Sequence, residues 1–557
     1  LLNHRAQAGQ GLEGSAGTPS WLLVVSWLSA VLGCHQLFVV CRQLPSVDGR
    51  RSSLVGRWSS VVGCWWLSVS RWLSVVGCRL LVVSVNLTPG MSDPVDATAA
   101  RIFGKSAPQD VQFGNVTEDN EDEKNAGRRS CLIFILCGCS AMEGADAVLL
   151  PSTFYALQHS LHLSLSNLST MTLVEAMAMS GVAPFWGIIA DRQLMTRKSI
   201  LASGAFLQGT ILILISFMDS FAVMLALRLL NGAMLAMLRP VASGVIGDVF
   251  PEQHRGKAFG RVGMSFYLGM CLSALVCTPL STQRILGIDG WRVAYALIGS
   301  VSMSVGGLII CLMVEPVCEK ELSEEVMHGG AILHEVRRLL HYFRMPTFCV
   351  LVLQGVFGCI PWSALSYQTL FYQISGLGHY HASALQALSQ LSTALGNVLG
   401  GLLGDRFAAA NPHHGRPCLA QISVSAGIPV SWLMFTVLPP GHHAFEYYAA
   451  LVLFLGLTSS WAGTGVNWPI MTQIVEPNNR SSIMAWQAAL EGSSSAIFGN
   501  AAVGFLAENV FGYNIESAQA EKMDEASINA LGRALMLTCV VPWCLCLGTF
   551  SFLHWSY

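Results

Sequence analysis

Four ionisable residues lie in the middle of long apolar segments: Glu143, Asp146, Glu175 and Arg228. A charge near the centre of a lipid bilayer costs on the order of 2.5–3.5 kcal/mol, so each of these groups needs a partner or a polar cavity. Counted along helices that rise about 1.5 Å per residue, all four fall within about 5 Å of one depth. Three acids cannot all be neutralised by one base. We therefore expect Asp146 to pair with Arg228, which leaves Glu143 or Glu175 able to exchange a proton.

Two interpretations of these charges stay open. They line a pathway that binds a substrate or a coupling proton, or they form a permanent ion pair that braces the helices. Further residues in apolar segments are candidates to complete such a pathway: Arg239, Gln354, Trp362, Asn467, Trp468 and Glu491. Each also has a plain structural explanation. Arg239 could extend to the membrane interface, Glu491 could make a hydrogen bond in a tightly packed helix, and amide and aromatic side chains also serve as packing.

The composition of the chain is that of a membrane protein. Of its 557 residues, 53% are hydrophobic and only 11% are charged, whereas a soluble domain carries about a quarter charged residues. The net charge of −2 gives no reason to expect nucleic acid as a partner. Most of the 17 cysteines lie inside apolar runs with no ligand cluster beside them. We interpret them as small buried hydrophobes and assign no metal or other cofactor.

Apolar runs of about twenty residues predict an all-α membrane protein with twelve transmembrane helices in two six-helix bundles. The first bundle, 131–314, is expected to hold helices near 131–154, 168–190, 199–218, 220–243, 259–281 and 293–314. A polar connector at 315–345 separates it from the second bundle, 346–557. Helices of the second bundle are expected near 346–372, 381–404, 418–438, 445–468, 484–508 and 531–553.

The loops differ in their basic residues. Lys and Arg are concentrated in the loops that follow even-numbered helices, whereas the opposite loops carry only Arg284, Arg292, Lys522 and Arg533. Because loops rich in Lys and Arg face the cytosol, both termini are predicted to be cytosolic. The pattern does not distinguish the plasma membrane from an internal membrane.

The region before the first predicted helix has an unusual sequence. Residues 1–90 repeat short phrases such as WLSAVLGC, WSSVVGC and WLSVVGC without turn signals or a periodic core. We interpret this segment as translated repeat DNA upstream of a start at Met91, with a genuine N-terminal membrane anchor as the alternative. Residues 91–130 are polar and include EDNEDEK, which predicts a disordered cytosolic tail.

One charged motif occurs twice at equivalent places. Gly187, Asp191 and Arg192, followed by Arg197 and Lys198, lie between the second and third helices in the segment GIIADRQLMTRK. The second copy, between the eighth and ninth helices in the segment GLLGDR, comprises Gly401, Asp405 and Arg406. Equivalent positions in two six-helix halves indicate an internal duplication. An acidic side chain at a helix end can meet the positive N-terminus of a neighbouring helix, so this hinge is a candidate gate, although it could simply shape a turn.

These motifs resemble signatures of the major facilitator superfamily. GIIADRQLMTRK is similar to its cytoplasmic signature, Gly-x-x-x-Asp-Arg followed by basic residues, but places Leu-Met-Thr before the basic pair. RLLNG at 228–232 is similar to the fourth-helix signature Arg-x-x-x-Gly, and GWR at 290–292 also fits. The resemblance, which covers 131–557, implies two bundles that alternate access. It also implies that Asp191 meets the eleventh helix, expected here near Met484, in one state only.

The resemblance narrows to a plant and protist branch distantly related to spinster-like transporters. It is carried by MEGADAVLLP at 142–151, QGVFGCIPWSAL at 354–365 and VGFLAENVFGY at 503–513. In that branch the first stretch usually has Arg where this chain has Gly144. The branch implies a fold and an activity class but no substrate.

The function expected from these features is secondary active transport of a small solute by alternating access, with a proton as a candidate coupling ion and membrane lipid as the surroundings. A spinster-like exporter of lipids or lysolipids and a non-transporting sensor on the same scaffold are the alternatives. An enzyme is not expected, and no GxxxxGK[ST] loop is present to support ATP-driven pumping.

Overall fold

The computed structural model describes residues 116–191, 194–250, 252–315, 337, 339–439, 441–476, 480–514 and 525–557. The repetitive segment 1–90, residues 91–115 of the predicted tail and nearly all of the polar connector lie outside the described residues. The first helix begins at Val116, inside the segment predicted to be a disordered tail, and runs without a break into the first apolar run.

The first bundle contains six helical spans, which we number in chain order. Spans 1 to 6 are Val116–Leu161, Leu165–Asp191, Arg197–Ile215, Phe221–Val249 in two pieces (Phe221–Leu235 and Leu238–Val249), Glu252–Ser281 and Gly290–Leu312. Strands β1 (Arg284–Ile285) and β2 (Ile288–Asp289) form a short antiparallel hairpin between spans 5 and 6. Span 4 is interrupted at Ala236 and Met237 because Pro240 lacks the N–H that would bond the Ala236 carbonyl.

The second bundle repeats this arrangement with more interruptions. Spans 7 and 8 are Pro346–Ala364 continued by Gln368–Ile374, and His379–Ala410. Spans 9 and 10 are Gly415–Trp432 continued by Leu433–Val437, and Phe445–Ser459 continued by Ala462–Asn467 and Trp468–Ile474. Span 11 runs from Arg480–Ser495 through Ala496–Ala501 and Ala502–Phe505 to Leu506–Val510, and span 12 is Glu525–Ser556. Spans 9, 10 and 11 each contain a π-helical stretch.

The predicted all-α fold class, with twelve transmembrane helices in two bundles, is confirmed. In the described part of the chain, 9 helices are long and apolar enough to cross a membrane by length and composition alone. The remaining three are spans 2, 8 and 11. Span 2 packs against span 11 and span 8 against span 5, so these contacts join the two bundles.

The buried apolar core of the first bundle lies toward one end of the molecule. It is formed where spans 1 and 3 begin and spans 4 and 6 end, around Leu136, Leu201, Val245 and Ile309. We call this the terminal end, because span 1 begins there and span 12 ends there. The other end, where spans 1 and 11 end and span 2 begins, is the opposite end.

Spans 1 and 5 approach closely at two glycines. A Cβ added to Gly144 would lie 2.9 Å from the carbonyl carbon of Phe266, and one added to Gly269 would lie 2.6 Å from that of Ala141. Real Cβ atoms do not approach backbone so closely, so each position requires glycine.

Candidate functional site

Three of the four charges predicted to lie at one depth in the membrane meet inside the first bundle. Nη1 of Arg228, on span 4, lies 3.0 and 3.1 Å from the two carboxylate oxygens of Glu175 on span 2. The same Nη1 lies 3.8 Å from Oδ1 of Asp146 on span 1. The side chains of Arg228 and Asp146 are fully buried, so this ion-paired group is inside the protein rather than at its surface.

Three residues that the sequence did not single out complete the group. Asn231 donates its side-chain N–H to Oδ2 of Asp146 at 2.6 Å and to Glu175 at 2.9 Å. Gln208 donates to the same Oδ2 at 3.2 Å. Tyr295 accepts a hydrogen bond from Nη2 of Arg228. Asn231 lies in RLLNG, one turn after Arg228, and that helical spacing was the one signal in the sequence that could have identified it.

Glu143 is separate from this group and has its own basic partner. Nε of Arg239 lies 2.5 Å from Oε1 of Glu143. The plain explanation for Arg239, that it extends to the membrane interface, does not account for this contact with span 1.

The expected pairing is confirmed in part. Arg228 forms an ion pair with Asp146 at 3.8 Å, but Glu175 is closer at 3.0 Å, and Glu143 is paired with Arg239. Because Glu175 pairs with Arg228 and Glu143 with Arg239, Asp146 is the surplus carboxylate, without a basic partner of its own in the part of the chain that the structure describes. Its Oδ1 is buried without a hydrogen-bond partner among the described residues and has Arg228 as a distant, shared cation. We refer to Asp146, Glu175, Arg228 and Asn231 as the buried charge group.

The glycine of the fourth-helix motif positions this group. A Cβ on Gly232 would lie 3.1 Å from Cα of Glu175 and closer still to its carbonyl. Without a side chain there, span 4 can lie directly against the backbone of span 2. The Arg-x-x-x-Gly spacing thus places Arg228 one turn from the point of closest approach, beside the Glu175 carboxylate.

The candidate residues of the second bundle have other partners. Glu491 accepts a hydrogen bond from Gln487 at 2.8 Å, and Gln354 donates to the carbonyl of Leu351 at 2.7 Å in its own span. Trp362 packs edge-on against Trp543, with ring centroids 6.1 Å apart. Asn467 ends a π-helical stretch, and the side chain of Trp468 is exposed. Among the described residues, none of these five forms a hydrogen bond with the buried charge group.

The first hinge is held by a residue that the sequence analysis missed. Glu315, just after span 6, accepts hydrogen bonds from the backbone N–H groups of Arg197 and Lys198 at 2.9 and 3.1 Å. These N–H groups open span 3, where a carboxylate is favoured by the helix dipole. Gly187 lies within span 2, close to Pro240. Arg192 and the side chain of Asp191 lie outside the described residues, so the predicted contact of Asp191 with span 11 stays a prediction.

The second hinge is held within its own bundle. Asp405 lies 3.3 Å from Nη2 of Arg416, whose Nη1 donates to the carbonyl of Gly465 at 2.6 Å. Gly401 faces open space, and Arg406 is exposed. Arg416 thus ties the start of span 9 to span 10, and the two copies of the motif are stabilised differently.

The two bundles contact each other at the opposite end. Glu508, in the last turn of span 11, accepts hydrogen bonds from the hydroxyl of Ser166 and from its backbone N–H, the latter at 3.1 Å, at the start of span 2. Tyr513 donates to Gln158 at 3.3 Å, and Gln283 donates to Tyr380 at 3.1 Å. The first two bonds join the bundles where spans 1, 2 and 11 meet, and the third joins the end of span 5 to the start of span 8.

Comparison with known proteins identifies the relatives of this architecture. The family model of the Major Facilitator Superfamily matches residues 136–499, which is more than half of the chain. The "Probable actinorhodin transporter" of Streptomyces coelicolor is 26% identical over 186 residues, covering 33% of this chain and 32% of that protein. The quinolone resistance protein NorA of Staphylococcus aureus is 27% identical over 107 residues, covering 19% of this chain and 27% of NorA. The matched segment thus spans about a third or less of either relative.

Solved structures share the fold over nearly their whole length. A bacterial homologue of the human lysosomal transporter Spinster, in an inward-facing and unoccupied conformation, superposes with a TM-score of 0.65 at 16% identity. The match covers 77% of this chain and 98% of that one. The nucleoside transporter NupG gives a TM-score of 0.54 at 14% identity, and the match covers 76% of this chain and 97% of NupG.

Proposed function

Because the chain belongs to the Major Facilitator Superfamily, a family of membrane transporters, we propose that it is a secondary active transporter that moves a small solute by alternating access. The bundles would rock against each other along spans 2 and 11 and spans 5 and 8. Small residues support such movement: a Cβ on Gly492 of span 11 would lie 2.6 Å from the Ser180 hydroxyl of span 2. On the basis of the loop charges we propose that the terminal end faces the cytosol.

The observation that supports proton coupling is the surplus carboxylate of Asp146. A fully buried acid with one unpaired oxygen and a shared arginine can alternate between charged and neutral forms at modest cost. When Asp146 is ionised it competes with Glu175 for Nη1 of Arg228. When Asp146 is protonated, Arg228 pairs with Glu175 alone. Since Glu175 lies on span 2, this exchange acts on a helix that contacts the other bundle.

The experiment that tests transport is metabolite profiling of cells with and without the protein, repeated at two external pH values and including the lipid fraction. We expect at least one small solute to change in abundance, with a size that depends on pH. A change confined to lysolipids would support the lipid exporter instead. An unchanged profile in cells that carry the protein in their membranes would contradict transport and support a sensor.

Neutralising Asp146 is expected to remove the pH dependence. Asp146→Asn keeps the size of the side chain and an acceptor for Asn231 and Gln208, so the protein should fold. Transport of the solute found by profiling should then become slower and nearly independent of pH, because the exchangeable proton is gone. Uptake measured from pH 5.5 to 8 (about the range of a physiological proton coupling) tests this. Glu143→Gln is the matched control and should keep the pH dependence; a pH profile that persists in Asp146→Asn contradicts the assignment.

The two hinge aspartates are expected to differ. We propose that Asp191 contributes about 0.3–1 kcal/mol at a helix end in one conformational state, so Asp191→Asn should slow transport about two- to fivefold at near-normal expression. Asp405→Asn should have a smaller effect, because the Asp405 side chain is 79% exposed and its partner Arg416 is in the same bundle. Initial rates normalised to membrane protein check both. Equal rates in Asp191→Asn and the wild type would rule out the gating role.

A further inference from the structure

The Glu143–Arg239 pair leaves most of one guanidinium unused. An arginine carries five N–H donors, and Glu143 accepts from Nε at 2.5 Å. Within the described residues, Nη1 and Nη2 of Arg239 have no hydrogen-bond partner. The Glu143 side chain is 5% exposed, whereas that of Arg239 is 61% exposed. The guanidinium is therefore anchored along one edge and open along the other.

Two neighbours on span 5 orient that open edge. The ring centroid of Phe266 lies 4.9 Å from Cζ of Arg239, so one face of the guanidinium is covered by an aromatic ring. The ring centroid of Tyr267, the next residue, lies 5.6 Å from that of Phe266. With Nε bonded and one face covered, the Nη1 and Nη2 groups are the part of Arg239 that remains available to a ligand.

Tyr267 offers a second donor and reaches the other bundle. Asn397, on span 8, donates its side-chain N–H to the Tyr267 hydroxyl at 2.9 Å. That hydroxyl accepts this bond and still carries its own hydrogen, for which the described residues provide no acceptor. A ligand held by Arg239 and Tyr267 would thus contact spans 4 and 5 beside a bond that joins the two bundles.

From this geometry we propose that Arg239 and Tyr267 bind an oxyanion, a carboxylate or phosphate group, of the transported solute. The inference rests on the proposed transport function and adds the class of substrate to it. A planar guanidinium with two open donors matches the two oxygens of a carboxylate or phosphate, and a neutral phenol adds a third donor. Glu143 fixes the position of Arg239 and, being an anion itself, opposes the ligand.

Binding to the purified full-length chain in phosphatidylcholine nanodiscs tests the site without a known substrate. The probes are benzoate and phenyl phosphate, lysophosphatidate as a lipid-borne phosphate, and benzyl alcohol as the neutral control, each titrated while thermal unfolding is followed. We expect at least one anion, and not benzyl alcohol, to raise the midpoint of the wild type. Binding of lysophosphatidate alone assigns the oxyanion to a lipid, and binding of the aromatic anions assigns it to a soluble solute; either supports the site.

The variants separate recognition from folding. Arg239→Gln should raise the Kd of the bound anion at least about tenfold, and Tyr267→Phe should raise it about threefold. Glu143→Gln should lower the Kd, because it keeps an oxygen for Nε but removes the opposing charge; a structural brace would not give this result. Arg239→Lys keeps the charge but loses the two parallel N–H donors of the guanidinium, so its Kd should lie between those of Arg239→Gln and the wild type. Arg284→Gln, in the β1–β2 hairpin, is the control and should not change the Kd.

Two results would overturn the inference: no anion stabilises the wild type at millimolar concentration, or Arg239→Gln binds as tightly as the wild type. If either occurs while metabolite profiling still shows a transported solute, the oxyanion site is wrong and the transport function stands. If an anion binds in an Arg239-dependent way but profiling shows no transported solute, the binding site stands and the transport function is wrong.

Discussion

Replacing Arg228 with alanine is expected to destabilise the protein by about 3–5 kcal/mol and to abolish transport. The substitution removes the cation that lies 3.0 Å from Glu175 and 3.8 Å from Asp146. Two carboxylates would then share a buried space in which only amide and hydroxyl groups remain. Removing one member of a buried pair costs far more than the net contribution of the pair, because the remaining charge keeps its desolvation penalty.

Thermal unfolding of the purified protein measures this effect, with the fraction of protein that stays monodisperse after heating as the readout. The double variant Arg228→Ala with Glu175→Gln should recover part of the lost stability, because one stranded charge is removed with its partner. It should not recover transport. Arg284→Ala, in a residue whose side chain is 83% exposed, is the matched control and should stay within about 0.5 kcal/mol of the wild type. Wild-type stability in Arg228→Ala would mean that the buried charge group is not formed as described.

Adding one methyl group where spans 1 and 5 meet is expected to have the second large effect. Gly269→Ala would place a Cβ 2.6 Å from the carbonyl carbon of Ala141. The obstruction is backbone rather than a flexible side chain, so the spans must separate, at a cost of at least about 1–3 kcal/mol. Gly144→Arg, with a Cβ 2.9 Å from the carbonyl carbon of Phe266, should prevent the close packing altogether. Because span 1 carries Asp146 and Glu143, transport should fall together with stability.

A second glycine in the same helix provides the control for this prediction. Gly263 of span 5 has open space where a Cβ would lie. Gly263→Ala should therefore stabilise the protein slightly, by about 0.5–1 kcal/mol, because alanine is the better helix former. The same thermal unfolding assay measures both variants. If Gly269→Ala and Gly263→Ala shift the unfolding midpoint in the same direction, the close contact of spans 1 and 5 is not the reason for glycine at these positions.

The sequence alone indicated the membrane class, the number of spans and a common depth for four charges, of which Asp146, Glu175 and Arg228 meet in the structure. These properties depend on distance along one chain: about twenty apolar residues cross a bilayer, and each helical residue adds about 1.5 Å. For that reason Asp146, Glu175 and Arg228 could be placed at one level before any contact was known. The duplicated Gly-x-x-x-Asp-Arg motif likewise located equivalent places in the two bundles, although its Gly and Asp lie in the last turns of spans 2 and 8 rather than in the loops after them.

Only the tertiary structure decided which groups meet. Partner choice depends on how each helix is rotated and where it is interrupted, and neither follows from depth. Arg239 pairs with Glu143 on span 1, which leaves Asp146 as the surplus carboxylate. Gln208 and Tyr295 contact the buried charge group from spans 3 and 6, although nothing in their local sequence marks them. Glu315 reached the start of span 3 from 118 residues away because spans 3 and 6 pack side by side, a proximity that exists only in the folded bundle.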